Sequence, residues 1–137
     1  VELSDEARRY MGRFDELTGV APRDCLVEGD RLVFVIPAGE MAAAIGQGGA
    51  TVTEAERRLG RSVELVEDAD TPESFVASAL APAAVTAVTI SEQDDRVAYV
   101  EVAPADRGVA IGADGQNIET ARTLAKRHYD VDDVQLT

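Results

Sequence analysis

Tryptophan is absent and aromatic residues make up only 4% of the chain, so any core must be built from Val, Leu, Ile and Ala. Cysteine occurs once, as Cys25, which excludes an intramolecular disulfide. Beside Leu26 and Val27 its expected role is that of a small buried apolar residue. A reactive thiol would want a basic neighbour and a His partner, and neither is evident. Histidine also occurs once, as His128, so a His-Glu-x-x-His pair is excluded, and no cluster has metal-ligand spacing. Its expected place is near a helix C-terminus, where a cation suits the dipole, or simple exposure. The single lysine, Lys126, follows no Gly-x-x-x-x-Gly, which rules out a P-loop, and no Gly-x-Gly-x-x-Gly follows a strand. No apolar run approaches the roughly 18–20 residues that span a bilayer. The first residues, Val1-Glu2-Leu3-Ser4-Asp5-Glu6, lack signal-peptide features. A cytoplasmic protein with no membrane partner, no cofactor and no metal is expected, and nothing in the pattern calls for an oligomer, so a monomer is expected too.

What is plentiful is negative charge. There are 26 acids against 13 bases, net −13, and all bases but Lys126 are Arg. Residues 1–67 carry 13 acids and 8 bases (net −5), and residues 68–137 carry 13 acids and 5 bases (net −8). Such a chain repels polyanions in dilute buffer. Concentrated salt removes that objection, because screening shortens to about 3 Å at 1 M. The acid excess and the preference for Arg over Lys fit a halophilic source. The carboxylates spread along helices and turns and read as a solvated surface rather than an acid/base pair, so no enzyme is expected.

The most telling feature is a turn that occurs twice. The first copy reads Ala44-Ile45-Gly46-Gln47-Gly48-Gly49-Ala50-Thr51-Val52, and the second reads Ala110-Ile111-Gly112-Ala113-Asp114-Gly115-Gln116-Asn117-Ile118. A shift of 66 positions overlays Ala44 on Ala110, Ile45 on Ile111, both glycines, Val52 on Ile118 and Ala55 on Ala121. The surroundings repeat as well. Ser4 can cap a helix ended by Gly19, a hairpin turns at Glu28-Gly29-Asp30, and Pro37 closes its second strand. A short Ala-rich helix over 39–45, the Gly turn, a helix over 50–59 and a strand over 62–66 complete the first half. Thr71-Pro72 opens the same series again: a helix, a hairpin over 85–102 closed by Pro104, a short helix over 106–111, a longer one over 116–128 and a strand over 131–136. Two domains of one kind follow, 1–67 and 68–137.

A Gly-x-x-Gly turn between helices lets another backbone approach, because no Cβ intervenes. The following helix aims its first N–H groups and positive dipole end at the turn, so a phosphate can settle there without lysine. An apolar groove lined by Ile45 and Val52, or by Ile111 and Ile118, can receive bases. The candidate RNA-binding residues are therefore Ile45, Gly46, Gln47, Gly48, Gly49 and Val52 in the first half. In the second half they are Ile111, Gly112, Ala113, Asp114, Gly115 and Ile118. The same turn also serves as a plain helix connector.

The Ile-Gly-x-x-Gly turn followed by an apolar-periodic helix resembles the KH-domain signature. The hairpin before the turn and the single strand at the end resemble the type II arrangement. Tandem copies over nearly the whole chain are similar to small archaeal NusA-like transcription termination/antitermination factors, and residues 109–118 are especially similar to the second KH repeat of NusA proteins. The resemblance implies an α+β fold of two tandem type II KH domains, each α-β-β-α-α-β with a small three-stranded sheet packed against helices. It also implies binding of single-stranded RNA, with the Gly turns on the phosphates, and association with RNA polymerase. Bacterial relatives carry polymerase-binding and S1 regions that are not found here, so contacts made through those regions do not carry over.

This chain departs from the pattern at the variable loop positions, which are often basic in RNA-binding KH domains but here are Gln47-Gly48 and Ala113-Asp114. A carboxylate about 4 Å from a phosphate costs about 1 kcal/mol in water, so the first turn is the better RNA site. The bases nearest a groove are Arg57, Arg58 and Arg61, and Arg107, Arg122, Lys126 and Arg127, and each also reads as solvated helix surface. Two other functions stay open: a KH module of another RNA assembly, ribosome-associated or RNA-processing, and an acidic protein-interaction scaffold whose Gly turns only join helices.

Overall fold

The computed structural model describes residues 2–137. Val1, the first residue of the first predicted domain, lies outside them. The chain divides into two compact units, residues 2–68 and 69–137.

In the first unit, Ser4 accepts a hydrogen bond from the Ala7 N–H at 3.0 Å and starts helix α1 (Asp5–Thr18), with Asp5 and Glu6 at the positive end of its dipole. Gly19 ends it in the left-handed conformation. Strands β1 (Asp24–Glu28) and β2 (Arg31–Ile36) form the predicted hairpin. Helices α2 (Met41–Ile45) and α3 (Ala50–Leu59) flank the Gly turn, and β3 (Ser62–Glu67) closes the unit. Strand β2 is central, antiparallel to β1 and parallel to β3, with Phe34 opposite both Cys25 and Leu65. Its alternate residues Leu32, Phe34 and Ile36 meet Ala7, Phe14, Ala44, Ala55 and Leu59 in one core. Phe14 and Phe34 stack with centroids 4.3 Å apart, so two of the few aromatics hold helix and sheet together. Cys25 is buried in that core, and burial first, then Asp24 and Glu6, pushes its thiol up to about 12.

The second unit repeats this order with α4 (Pro72–Ala79), β4 (Val85–Glu92), β5 (Arg96–Val102), α5 (Arg107–Ile111), α6 (Gln116–Tyr129) and β6 (Asp133–Leu136). Strand β5 is again central, antiparallel to β4 and parallel to β6. Thr71 caps α4 by accepting from the Ser74 N–H at 3.1 Å, and Pro72 follows at the start of the helix. The structure differs from the sequence reading at element ends. Helix α2 begins at Met41 rather than at 39, residues 104–106 form a 3-10 turn, and β6 begins at Asp133 rather than at 131. Each difference lies where a turn or cap competes with the regular ladder, as at Glu40, whose N–H bonds the Pro37 carbonyl at 3.1 Å. His128 is not simply exposed: its ring lies 5.8 Å from that of Phe75.

Candidate nucleic-acid interface

Each Gly turn is a short 3-10 segment between two helices, Gln47–Gly49 in the first unit and Ala113–Gly115 in the second. The first glycine of each takes a backbone conformation open in practice only to glycine: φ 78°, ψ 166° at Gly46 and φ 79°, ψ 173° at Gly112. A Cβ at Gly46 would lie 2.2 Å from the Thr51 Oγ1 and 2.7 Å from the Thr51 nitrogen. At Gly112 it would lie 2.7 Å from the Asn117 Cγ and 2.9 Å from the Asn117 nitrogen. These glycines let the start of the second helix close onto the end of the first. The Gly49 N–H then bonds the Gly46 carbonyl at 3.0 Å, and the Gly115 N–H bonds that of Gly112 at 3.1 Å. Gly49 and Gly115 cap α3 and α6 in the left-handed conformation and offer no side-chain cap, which leaves the dipole end of each helix facing the turn.

The residues picked from sequence come together around these turns, with one exception. Ile45 and Ile111 are 38% and 39% exposed, large apolar side chains left in water beside a glycine turn. Val52 is half-buried, but its counterpart Ile118 is only 7% exposed and belongs to the buried core. Ile118 therefore backs the second groove rather than lining it. Val109, 43% exposed on α5, is an apolar surface that sequence reading did not single out. It also missed Thr51 and Asn117, two positions after the last glycine of each turn. The Asn117 Nδ2 donates to the Val109 carbonyl at 2.9 Å and ties α6 to α5 across the turn. The 66-residue overlay pairs the two positions, but only the tertiary contact shows what they do.

The two turns differ electrically. Residues 41–53 carry no charge at all, whereas residues 108–118 carry Asp114 alone. Asp114 has φ 54°, matching φ 63° at the equivalent Gly48. Asp and Asn are the side chains that accept this left-handed conformation most readily, so backbone geometry accounts for Asp114 without any role for its charge. Asp114→Asn keeps the conformation and removes the charge. Its melting temperature is expected to stay within a degree or two of wild type. At low salt the second turn's affinity for an oligonucleotide is expected to rise about fivefold, from about 1 kcal/mol of relieved repulsion. In molar KCl the gain should vanish. Anisotropy titrations at both salt concentrations check this.

The bases nearest the grooves are mostly occupied. Arg57 grips the Glu54 carboxylate at 2.7 and 3.0 Å, and Arg58 reaches the same group at 2.9 Å. Those hydrogen bonds hold the Glu54 carboxyl down at about 2. Lys126 is held by Asp132 at 2.7 Å and Asp130 at 3.0 Å, which raise its ammonium above the usual range. Arg122 pairs with Glu119 and with Asp133, the latter at 2.9 Å. Arg107 donates to the Thr137 carbonyl at 2.7 Å, and Arg61 donates to the Gly29 carbonyl. Arg127 is half-buried and also has a partner. An anion arriving at either turn would thus meet backbone N–H groups first.

Among the described residues no group of three or more His, Cys, Asp or Glu side chains could hold a metal ion, and no helix is long and apolar enough to cross a membrane.

Comparison with known proteins agrees with this geometry. The family described as "NusA-like second KH domain" matches residues 72–136, and the KH domain family matches residues 9–71. A protein of Halobacterium salinarum named "Probable transcription termination protein NusA" is 61% identical over 137 residues, covering 100% of this chain and 99% of its own. A protein of the same name from Halococcus morrhuae is 56% identical over 99% of this chain and 98% of its own. Another, from Methanocaldococcus jannaschii, is 30% identical over 99% of this chain and 75% of its own. The crystal structure of APE1850 superposes with a TM-score of 0.84 at 28% identity, covering 98% of this chain and 100% of that one. The expected α+β fold of two KH domains, each a three-stranded sheet packed on helices, is the fold found. The acid excess of this chain fits its similarity to proteins of the halophiles Halobacterium and Halococcus.

Proposed function

The chain belongs to the NusA family of KH-domain transcription termination proteins, and on that footing we propose that it binds single-stranded RNA at its Gly turns while acting with RNA polymerase in termination or antitermination. The proposal places it in the cytoplasm, with domain limits at 1–67 and 68–137. The observation that carries it is the first turn. Gly46, Gln47, Gly48 and Gly49 form an uncharged bend at the start of α3, with Ile45 exposed on one side and Val52 half-buried on the other. A phosphate there meets N–H groups and a helix dipole, and a base meets an aliphatic wall. The second turn, Gly112, Ala113, Asp114 and Gly115 beside Ile111 and in front of buried Ile118, has the same shape with one opposing charge. It is the weaker site.

Gln47→Asp/Gly48→Asp tests this reading. Gln47 is exposed, and an aspartate already occupies the position equivalent to Gly48 in the second unit, so the variant should fold. Two carboxylates at about 1 kcal/mol each predict about a thirtyfold loss of RNA affinity at low salt, shrinking as KCl rises. The experiment is anisotropy in the lowest KCl concentration at which circular dichroism is native. Unchanged affinity in a folded variant would remove RNA from the first turn. Co-purification of RNA polymerase with the wild type tests the second half of the proposal.

A further inference from the structure

The first unit carries a concentration of arginine that the Gly turn does not use. Arg9 and Arg13 lie one helical turn apart on α1 and are exposed, and with Glu6 and Tyr10 they line a cavity of about 280 Å³. No ion pair to Arg9 or Arg13 occurs among the described residues. The Arg13 guanidinium reaches across to the C-terminal end of α3 and donates to the Arg58 carbonyl at 3.2 Å. From beyond α3, Arg61 places its guanidinium 5.7 Å from the centre of the Tyr10 ring, within cation–π range. Arg57 and Arg58 stand in the last turn of α3 and share one carboxylate, Glu54. Each guanidinium has five N–H donors, and the bonds to Glu54 use two from Arg57 and one from Arg58, so donors are left over.

We propose that this face, Arg9, Arg13 and Arg61 around Tyr10 with Arg57 and Arg58 at the end of α3, is a second RNA-backbone contact that holds the strand beyond the nucleotides on the first Gly turn. The proposal rests on the RNA-binding reading given above. In a chain of net −13, the five arginines outnumber Glu6 in the same cavity and Glu54 beside Arg57 and Arg58, with Asp30 and Glu56 near Arg57 and Arg61, so the face is locally net positive and a polyanion is the complementary partner. Their arrangement favours a strand over an acidic protein surface. Arg9 and Arg13 line one cavity, Arg13 reaches the end of α3 and Arg61 reaches back to Tyr10, so the charges run as a line from one helix to the other. Helix α3 has ten residues, about 15 Å, and runs from the Gly turn at its start to Arg57 and Arg58 at its end, so a strand leaving the turn can continue onto the arginines. Guanidinium forks suit phosphate oxygens, and hydrogen bonds at contact distance survive salt that screens longer-range attraction.

The test compares an RNA of about four nucleotides, the length a KH turn clamps, with one of about twelve, within the range of single-strand sites. Anisotropy is read over the KCl range in which circular dichroism is native. Arg9→Gln/Arg13→Gln is expected to weaken the longer RNA at least fivefold and leave the shorter one unchanged. It should also make the plot of log affinity against log salt shallower by about 1.4, from about 0.7 per lost phosphate contact on a single strand. Should the double variant not fold, Arg9→Gln alone leaves the Arg13 contact intact and should lower the slope by about 0.7. Equal losses at both lengths, or an unchanged slope, would overturn the proposal. So would wild-type binding of polyglutamate, lost in the variant, with no change for the longer RNA, since that result assigns the face to an acidic protein. The Gly-turn variant Gln47→Asp/Gly48→Asp weakens both lengths if the turn reading holds, so failure of that reading is seen separately from failure of this one.

Discussion

Gly46→Ala is expected to lower the stability of the first unit by about 2–6 kcal/mol and to abolish RNA binding at its turn. Two independent costs add. A non-glycine residue at φ 78°, ψ 166° carries about 1–3 kcal/mol of backbone strain. The new Cβ would also sit 2.2 Å from the Thr51 Oγ1 and 2.7 Å from both the Thr51 Cβ and its nitrogen. Overpacking of that kind costs about 1–3 kcal/mol more. Because one of those atoms is backbone, adding Thr51→Ala should not restore the fold. Gly48→Ala is the control. It also has positive φ, but its Cβ meets nothing within 4 Å, so only the left-handed penalty of about 1–2 kcal/mol applies. Thermal denaturation by circular dichroism separates them, since 1 kcal/mol moves the midpoint of a domain this small by about 4–8 °C. Equal midpoints for the two variants would show that α2 and α3 do not meet as closely as described.

Phe14→Ala is expected to cost about 3–5 kcal/mol, comparable with much of the stability of a small domain. Phe14 and Phe34 are fully buried and stack at 4.3 Å, and Ala7, Cys25, Ala44 and Ala55 around them are too small to fill the space. Phe14→Leu restores most of the apolar volume and should recover more than half of the loss. Chemical denaturation in constant molar KCl measures both. Because the pair joins α1 to β2 and includes none of the Gly-turn residues, the loss should appear in stability, with RNA affinity of the remaining folded protein unchanged. A drop in affinity at temperatures where Phe14→Leu is fully folded would show that α1 helps to shape the turn.

The local signals in this chain come from groups that act within a few residues of themselves. Ser4 and Thr71 cap helices because a side-chain oxygen reaches an N–H three residues on. Gly19 ends a helix because its own φ is positive. Pro37 and Pro104 stand just beyond the central strands. The two Gly turns were legible as well, since their glycines answer to local backbone geometry and recur at one offset. From these alone the element order, the duplication and the place of both turns could be read.

Tertiary structure decided what depends on residues far apart in the chain. That β3 lies parallel to β2, with Leu65 opposite Phe34, follows from packing on one core and not from the alternation in either strand. Ile118 and Val52 occupy equivalent positions, yet Ile118 is buried and Val52 half-exposed, because burial depends on the surrounding core. In sequence Arg57 and Arg58 are equal candidates for RNA, and the fold engages both with Glu54 while leaving donors of each guanidinium unused. Arg13 was unremarkable on α1 until the fold carried the Arg58 carbonyl to it across 45 residues. Charge in the sequence counts acids and bases, but which of them still face an incoming phosphate depends on distances that only the folded chain sets.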